Sequence, residues 1–303
     1  MKKLYIAVGF IFILIFALIV GGIVVLFSDF DFSGGNIAVI NIDGPIILKS
    51  DDSGIFGRKE MSALDYIDLL DRAEKDKNIK AVLLKINSPG GEVIASEKLA
   101  RKVKEVAEKK PVVAYIETIG ASGAYMAACP ADYIVAEKHS IVGSIGVKME
   151  ILHYYGLMEK LGINTTVIKA GKYKDIASPY RPMTEEERRY LEKMINETYM
   201  DFVMWVAENR NLSINKTLKI ADGKIYMGSD AKKVGLVDEV GTEEDAINIT
   251  AKLANITTPK VVEYKSEDFG LFNVLYSFGY GIGKGLGEIL VKTDLPYKTY
   301  IMD

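Results

Sequence analysis

The sequence predicts an α/β fold, and three observations carry that prediction. Nearly continuous apolar runs of strand length recur along the chain, stretches with helical spacing alternate with them, and Gly-containing turns join one to the next. Such runs are typical of parallel strands buried on both faces, and strand–helix alternation argues for a sheet covered by helices. Composition agrees. The 303 residues are 49% hydrophobic and 26% charged, with a mean hydropathy of +0.12, outside the disordered and collagen-like classes. That length allows one large domain or two modest ones. The 38 basic residues are scattered among 41 acidic ones for a net charge of -3, so nucleic acid is not an expected partner. Cys129 is the lone cysteine and no CxxC or Cys/His cluster occurs, which excludes an internal disulfide and structural zinc. No metal and no cofactor is expected. The two histidines, His139 and His153, make the usual general base scarce.

Taken in order, residues 1–3 form a short N-terminus ahead of 24 uncharged residues from Leu4 to Phe27. As a helix these measure roughly 36 Å, enough to span a bilayer core. A cleavable signal peptide would have a shorter apolar region followed by small residues, whereas Ser28-Asp29-Phe30-Asp31 follows here, so a transmembrane anchor is expected. Lys2 and Lys3 before the span and Asp29 and Asp31 after it place the N-terminus in the cytoplasm and the remainder outside, in a single-pass cell-membrane topology with lipid contact through Leu4–Phe27. Six Asn-x-Ser/Thr sequons, at Asn164, Asn196, Asn211, Asn215, Asn248 and Asn255, fit an external domain if they are glycosylated, and chance explains them equally well.

A linker over 28–36, with Gly34 and Gly35, leads to the α/β domain over 37–262. Ile37–Gly44 reads as a first strand and turn. Ser62 caps an amphipathic helix through Ala73, with Ala63, Tyr66, Ile67 and Leu70 on one face. Ala81–Ile86 is a second strand, 87–91 a turn, Val93–Lys109 a helix, and Val112–Ile116 a third strand leading to a Gly-Ala-Ser-Gly turn and a short helix. Thr184 with Glu187 forms a capping-box pattern, and Leu191, Met194, Ile195, Phe202, Trp205 and Val206 continue a long helix packed on one face. Met194, Met200 and Met204 are expected to pack rather than to hold a cofactor. Residues 263–303 form a tail whose apolar, Gly-rich stretch Gly270–Val291 is interrupted by Lys284 and Glu288, which suits a surface-associated segment better than a second span.

Two turns draw attention, Asn87-Ser88-Pro89-Gly90-Gly91 and Gly120-Ala121-Ser122-Gly123. Glycine lets the backbone turn sharply and expose amide N–H groups, and paired N–H donors make an oxyanion hole. A serine at the second turn sits at a helix N-terminus, where developing negative charge is favoured, so Ser122 is the candidate nucleophile. The local pattern lacks the five-residue Gly-x-Ser-x-Gly elbow, since Ala124 takes the last place. Ser88, between Asn87 and Pro89, suits a turn-stabilising role.

Around these turns the chain resembles the signal peptide peptidase A family, membrane-anchored serine peptidases of the Clp-protease and crotonase fold group. The resemblance runs from about Ile37 to Gly241. It rests on Lys85-Ile-Asn-Ser-Pro-Gly-Gly91, Ala121-Ser-Gly-Ala-Tyr125, Ile141-Val-Gly-Ser-Ile-Gly-Val147, Gly171-Lys-Tyr-Lys-Asp-Ile176, Ser178-Pro-Tyr-Arg-Pro-Met-Thr184, Asp222-Gly-Lys-Ile-Tyr-Met-Gly228 and Gly235-Leu-Val-Asp-Glu239. It implies a Clp/crotonase-like fold in which Ser122 is the nucleophile, Lys174 the general base, Ser144 the serine that orients that lysine, and Gly91 with Gly123 the oxyanion donors. The 52-residue interval from Ser122 to Lys174 suits members with one catalytic unit per chain. It also implies an oligomeric ring and, as substrates, remnant signal peptides and other short unfolded peptides cleaved through an acyl-enzyme.

The chemistry stands on its own terms. A serine hydroxyl needs a neighbouring base, and a lysine serves only when its amine is neutral, a state that apolar burial favours. Tyr173 and Ile176 flank Lys174, consistent with such burial. Lys172 would share a strand face with Lys174, and spacing alone does not choose between them. His139 and His153 offer a Ser-His alternative outside any motif. Cys129 reads as a small buried hydrophobe. Three rivals remain: a related membrane peptidase that cleaves stomatin-like partners, a non-catalytic scaffold of the same fold, and an acyl-CoA enzyme of the crotonase type.

Overall fold

Strands β1 (Ile37–Asp43) and β2 (Ala81–Ser88) pair in parallel along their whole length, Ile37 opposite Ala81 and Asp43 opposite Asn87. This is a computed structural model, and it describes residues 34–50 and 61–265. All but Gly34 belong to one unit, Gly35–Asp51 with Glu60–Lys265. Between the two strands runs helix α1 (Ala63–Lys75), capped as expected: Ser62 Oγ accepts from Asp65 N while the Asp65 carboxylate accepts from Ser62 N. Such a reciprocal cap satisfies two orphan donors of the first turn.

Helix α2 (Val93–Ala107), strand β3 (Val112–Ala121), helix α3 (Gly123–Ala128) and strands β4 (Tyr133–Ala136) and β5 (Ile141–Gly143) follow. Then come α4 (Tyr155–Lys160), α5 (Glu185–Asn209), α6 (Ile214–Ile220), β6 (Ile225–Met227), α7 (Gly228–Val234), β7 (Glu239–Val240), α8 (Glu243–Leu253) and β8 (Val261–Glu263). The main path of the sheet is β6-β5-β3-β2-β1-β8. β3 forks: its first half pairs with β4, which carries β7, and its last three residues pair with β5. Every pairing is parallel except β5 with β6, so the sheet is mixed.

The period of two along the central strands sorts side chains onto two faces. Ile40, Ile42, Val82, Leu84, Ile86, Val112, Ala114 and Ile116 join Tyr66, Leu70, Leu99 and Val103 of α1 and α2 in the larger cluster. Ile37, Val39, Leu83, Val113 and Tyr115 point the other way, onto Ala246 and Ala251 of α8. Burial on both faces explains why these strands read as continuous apolar runs. α5 opens on the expected capping box of Thr184 and Glu187, and its buried apolar side chains, Phe202, Val203, Val206 and Ala207, all lie in its C-terminal half. Met194 and Met204 are exposed, against the expectation that they pack.

One expectation of the fold class is corrected. Among the described residues no helix is long and apolar enough to cross a membrane. α5 has the length, but it opens on five consecutive charged residues, Glu185 to Arg189. The anchor expected over Leu4–Phe27 lies outside the described residues, as does the Gly270–Val291 stretch. What stands is an α/β fold with a mixed sheet; the transmembrane helix, the lipid contact through Leu4–Phe27, and the single-pass membrane localisation with an external domain are withdrawn.

Candidate active site

Three neighbouring parallel strands, β2, β3 and β5, end at one edge, where α/β sheets bind their ligands. Ser88 pairs with Gly120, and Ala121 with Gly143. That register sets the next residues, Ser122 and Ser144, side by side. Both have positive φ, 52° and 51°, a conformation that costs a non-glycine residue about 1–3 kcal/mol and concentrates at functional sites. Ser122 N donates to Gly143 O (2.8 Å) and Ser144 N to Lys224 O (2.9 Å), so backbone bonds on both sides hold the two turns in place.

The 87–91 turn closes against Ser122. A Cβ on Gly90 would come within 2.6 Å of Gly123 N and 2.9 Å of Ser122 Cβ, and one on Gly91 within 2.0 Å of Ile46 O. Only glycine allows this approach. Ile46 N donates to Gly90 O and Glu92 N to Ile46 O, which fixes the turn and leaves Gly91 N–H without an acceptor among the described residues. Gly123 N–H, in the first turn of α3, likewise has none. The Cβ position of Gly123 lies 3.3 Å from Gly91 N. Two unused donors therefore lie where the 87–91 turn meets Ser122 and Gly123. Gly90 N donates to Ser88 Oγ at 3.2 Å, the turn-stabilising role expected of Ser88.

α3 is rigidly seated. Tyr125 OH donates to Leu236 O at 2.7 Å and Trp205 Nε1 to Met126 O at 3.0 Å. Cys129 is fully buried and burial pushes its thiol up to about 12, so it is the small hydrophobe expected and supplies no thiolate. Ser96, on α2, was not anticipated: it is 1% exposed, its Oγ has no hydrogen-bond partner, and it fills the space where a Gly123 Cβ would stand. Nothing in the spacing of Ser96 flags it.

Lys174 stands apart. No hydrogen bond joins it to Ser122 or Ser144, and it is exposed, on a long excursion between β5 and α5. The burial expected from Tyr173 and Ile176 is not provided by the described chain, and 171–176 forms successive turns rather than a strand, so Lys172 and Lys174 share no strand face. Side-chain partners separate the two. Lys172 Nζ holds Glu186 at 2.5 and 2.6 Å, and that bond raises its proton affinity above the ordinary lysine value. Lys174 Nζ has no ion pair or hydrogen bond among the described residues. His139 and His153 make no side-chain hydrogen bond; the ring of His153 lies 5.9 Å from that of Tyr155.

A second residue that sequence reasoning passed over is Arg181, within the Ser178–Thr184 motif. Its Nε and Nη2 grip Asp175 at 2.8 and 2.9 Å, and its Nη1 and Nη2 grip Glu187 at 2.9 and 2.5 Å. Asp175 and Glu187 each lie six residues from Arg181, a symmetry visible in the sequence.

The model of peptidase family S49 matches residues 104–257. A candidate protease of Methanocaldococcus jannaschii is 62% identical over 297 residues, covering 96% of either chain. This chain belongs to peptidase family S49. A candidate signal peptide peptidase, SppA, of Enterococcus faecium is 34% identical over 78% of this chain and 69% of its own length. The chloroplastic serine protease SPPA of Arabidopsis thaliana is 34% identical over 82% of this chain and 36% of its own. Among solved structures, a membrane-bound stomatin-specific protease superposes with a TM-score of 0.49 at 14% identity, over 78% of this chain and all of that one. As an S49 member of the SppA type, the protein is a serine hydrolase with a Ser/Lys dyad.

Proposed function

We propose that this S49 peptidase hydrolyses short, extended peptides with Ser122 as nucleophile, Lys174 as base, Ser144 as orienting hydroxyl, and the N–H groups of Gly91 and Gly123 as oxyanion donors. The observation that carries the reading is the pair of unused amide donors, Gly91 N–H and Gly123 N–H, at the turn that abuts a serine held at positive φ. Ser122 Oγ attacks the scissile carbonyl and passes its proton to the neutral amine of Lys174. The oxyanion that forms is met by two backbone dipoles already in place, which costs no reorganisation. Collapse expels the amine product, which takes the proton back from the Lys174 ammonium, and leaves an ester on Ser122. Water then attacks that ester with the same lysine as base. Lys174 is exposed in the described chain, so this reading requires the excursion to be covered before the lysine can act as base. Remnant signal peptides are the substrate class that the Enterococcus relative's description supports.

The test is labelling of the full chain with a serine-directed acylating probe, followed by peptide mapping. The expected adduct is on Ser122 and disappears in Ser122→Ala. An adduct on Ser88, Ser96 or Ser144 that persists in that variant overturns the assignment.

A further inference from the structure

Residues 169–187 carry three lysines, two of them committed to carboxylates. Lys169 Nζ pairs with Asp175, and Lys172 Nζ with Glu186, which also accepts from Tyr173 OH. Lys174, two residues beyond Lys172, has no side-chain partner among the described residues. The carboxylate nearest to it in sequence is Asp175, and that group is occupied: besides Lys169, Arg181 holds both its oxygens and, through Nη2, its backbone carbonyl at 3.1 Å. The other edge of the same guanidinium holds Glu187, whose side chain is 5% exposed and whose carboxylate also accepts from Thr184 N at the cap of α5. One planar cation thus joins the lysine-bearing turn to the first turn of α5. Stacking of Tyr173 on Tyr190, centroids 5.7 Å apart, ties the same two elements together.

We infer that Arg181 is the positioning residue for the base: it withholds the Asp175 carboxylate from Lys174 and pins the 171–176 turn to α5, so that the Lys174 amine stays unpaired. The inference rests on the proposed role of Lys174. A carboxylate freed beside a lysine favours its ammonium, the form that cannot take a proton from serine. A guanidinium suits the task because its planar fork meets both oxygens of Asp175 and both oxygens of Glu187 in a fixed geometry, where an ammonium is a point charge on a flexible stem. The charged and titratable groups facing the turn are Lys169, Lys172, Tyr173, Asp175, Arg181, Glu186, Glu187 and Tyr190. Paired as described, their charges cancel, which leaves Lys174 without a counter-charge among them. Consistent with this, Asp175 and Glu187 are both held below the ordinary carboxylate range, chiefly by Arg181.

The experiment measures acylation of the full chain by the serine-directed probe and turnover of a short apolar peptide across pH, for Arg181→Met, Arg181→Lys and the double variant Arg181→Met with Asp175→Asn. Arg181→Met is expected to lower the acylation rate about tenfold at neutral pH with KM little changed, and to move the acid limb of the profile up by about one pH unit. The double variant should return the limb to its wild-type position, because the freed carboxylate is gone; a merely structural arginine predicts no such rescue. Arg181→Lys should fall between, and it decides the matter if Arg181→Met does not fold. A wild-type profile in Arg181→Met, or in Arg181→Lys where Arg181→Met does not fold, or a double variant no closer to wild type than the single, overturns the inference. Lys174→Ala separates it from the reading beneath: full acylation there removes the base assignment, whereas lost acylation with an unshifted Arg181→Met profile removes only the role of Arg181.

Discussion

The edge where β2, β3 and β5 end and the excursion that carries Lys174 are built on opposite principles. At the strand ends the backbone does the work. Ser122, Gly123 and Gly91 are fixed by sheet register, amide bonds and steric room that only glycine leaves, and the helix behind them is buried throughout. The excursion has no such support. Ile168 is 96% exposed and Leu152 78%, with Leu157, Leu161 and Ile163 also uncovered, and the turn at Lys174 is held by ion pairs and ring stacking. The proposed nucleophile and anion site are thus properties of the fold, while the proposed base sits on a segment whose geometry depends on charge. Each half should fail in its own way.

The largest effects come from the two proposed catalytic side chains. Ser122→Ala and Lys174→Ala should each cut peptide hydrolysis about a thousandfold or more while the thermal midpoint holds, as read by steady-state turnover and calorimetry. Lys174→Arg should be equally inactive, since a guanidinium does not release its proton in this range. Lys172→Ala, His139→Ala and His153→Ala should each keep most of the activity; a His variant as damaged as Ser122→Ala would return the histidine to the mechanism.

Next comes the backbone of the rigid half. Gly91→Ala forces a Cβ to within 2.0 Å of the Ile46 carbonyl oxygen, and the chain must move to admit it. A loss of about 3 kcal/mol in chemical denaturation is expected, together with loss of activity. A variant of wild-type stability would show that the turn is softer than its contacts imply. Smaller again is the strain at position 122. Ser122→Gly and Ser122→Ala both lack the hydroxyl, but only glycine is at ease at φ 52°, so the glycine variant should be more stable by about 1 kcal/mol.

The smallest effect is local and depends on pH. Glu187 is lowered to about 2, first by Arg181 and then by the Thr184 cap, and Asp175 is lowered further. Groups whose folded value is depressed contribute stability above their unfolded value, near 4, and lose it as pH falls toward the folded one. Amide exchange should therefore show residues 171–187 losing protection between about pH 4.5 and pH 2 before the central strands do. Simultaneous loss in both regions would mean that the excursion is no looser than the sheet.

The same division explains what could be read from the sequence. Strand runs such as Ala81–Ile86 and caps such as Ser62 and Thr184 are local patterns, and the structure shows each of them. The turns at Gly91 and Ser122 were legible because glycine and serine there answer a backbone need. The fork of β3 was not, since nothing local says that one strand changes neighbour after Ile116. Nor were the surroundings of Lys174. Flanking Tyr173 and Ile176 suggested burial, but the turn's environment is set by Asp175, Arg181 and Glu187, whose meeting depends on how the chain folds back onto α5. Ser96 escaped for a similar reason, because its position behind Gly123 follows from how α2 packs on α3.

The short strand β8 has a bearing on how the edge of the sheet is protected. It covers Ile37, Ala38 and Val39 of β1, and just beyond it Tyr264 N donates to Val39 O. β1 reads Ile-Ala-Val-Ile-Asn-Ile-Asp, a run rich in β-branched residues, and an uncovered edge of that kind is a template for pairing with other chains. Three residues near the end of the described unit therefore act as a seal. A proteolytic nick in the 254–260 connection, far from Ser122 in sequence, would open that seam, and aggregation rather than inactivation would be its first sign.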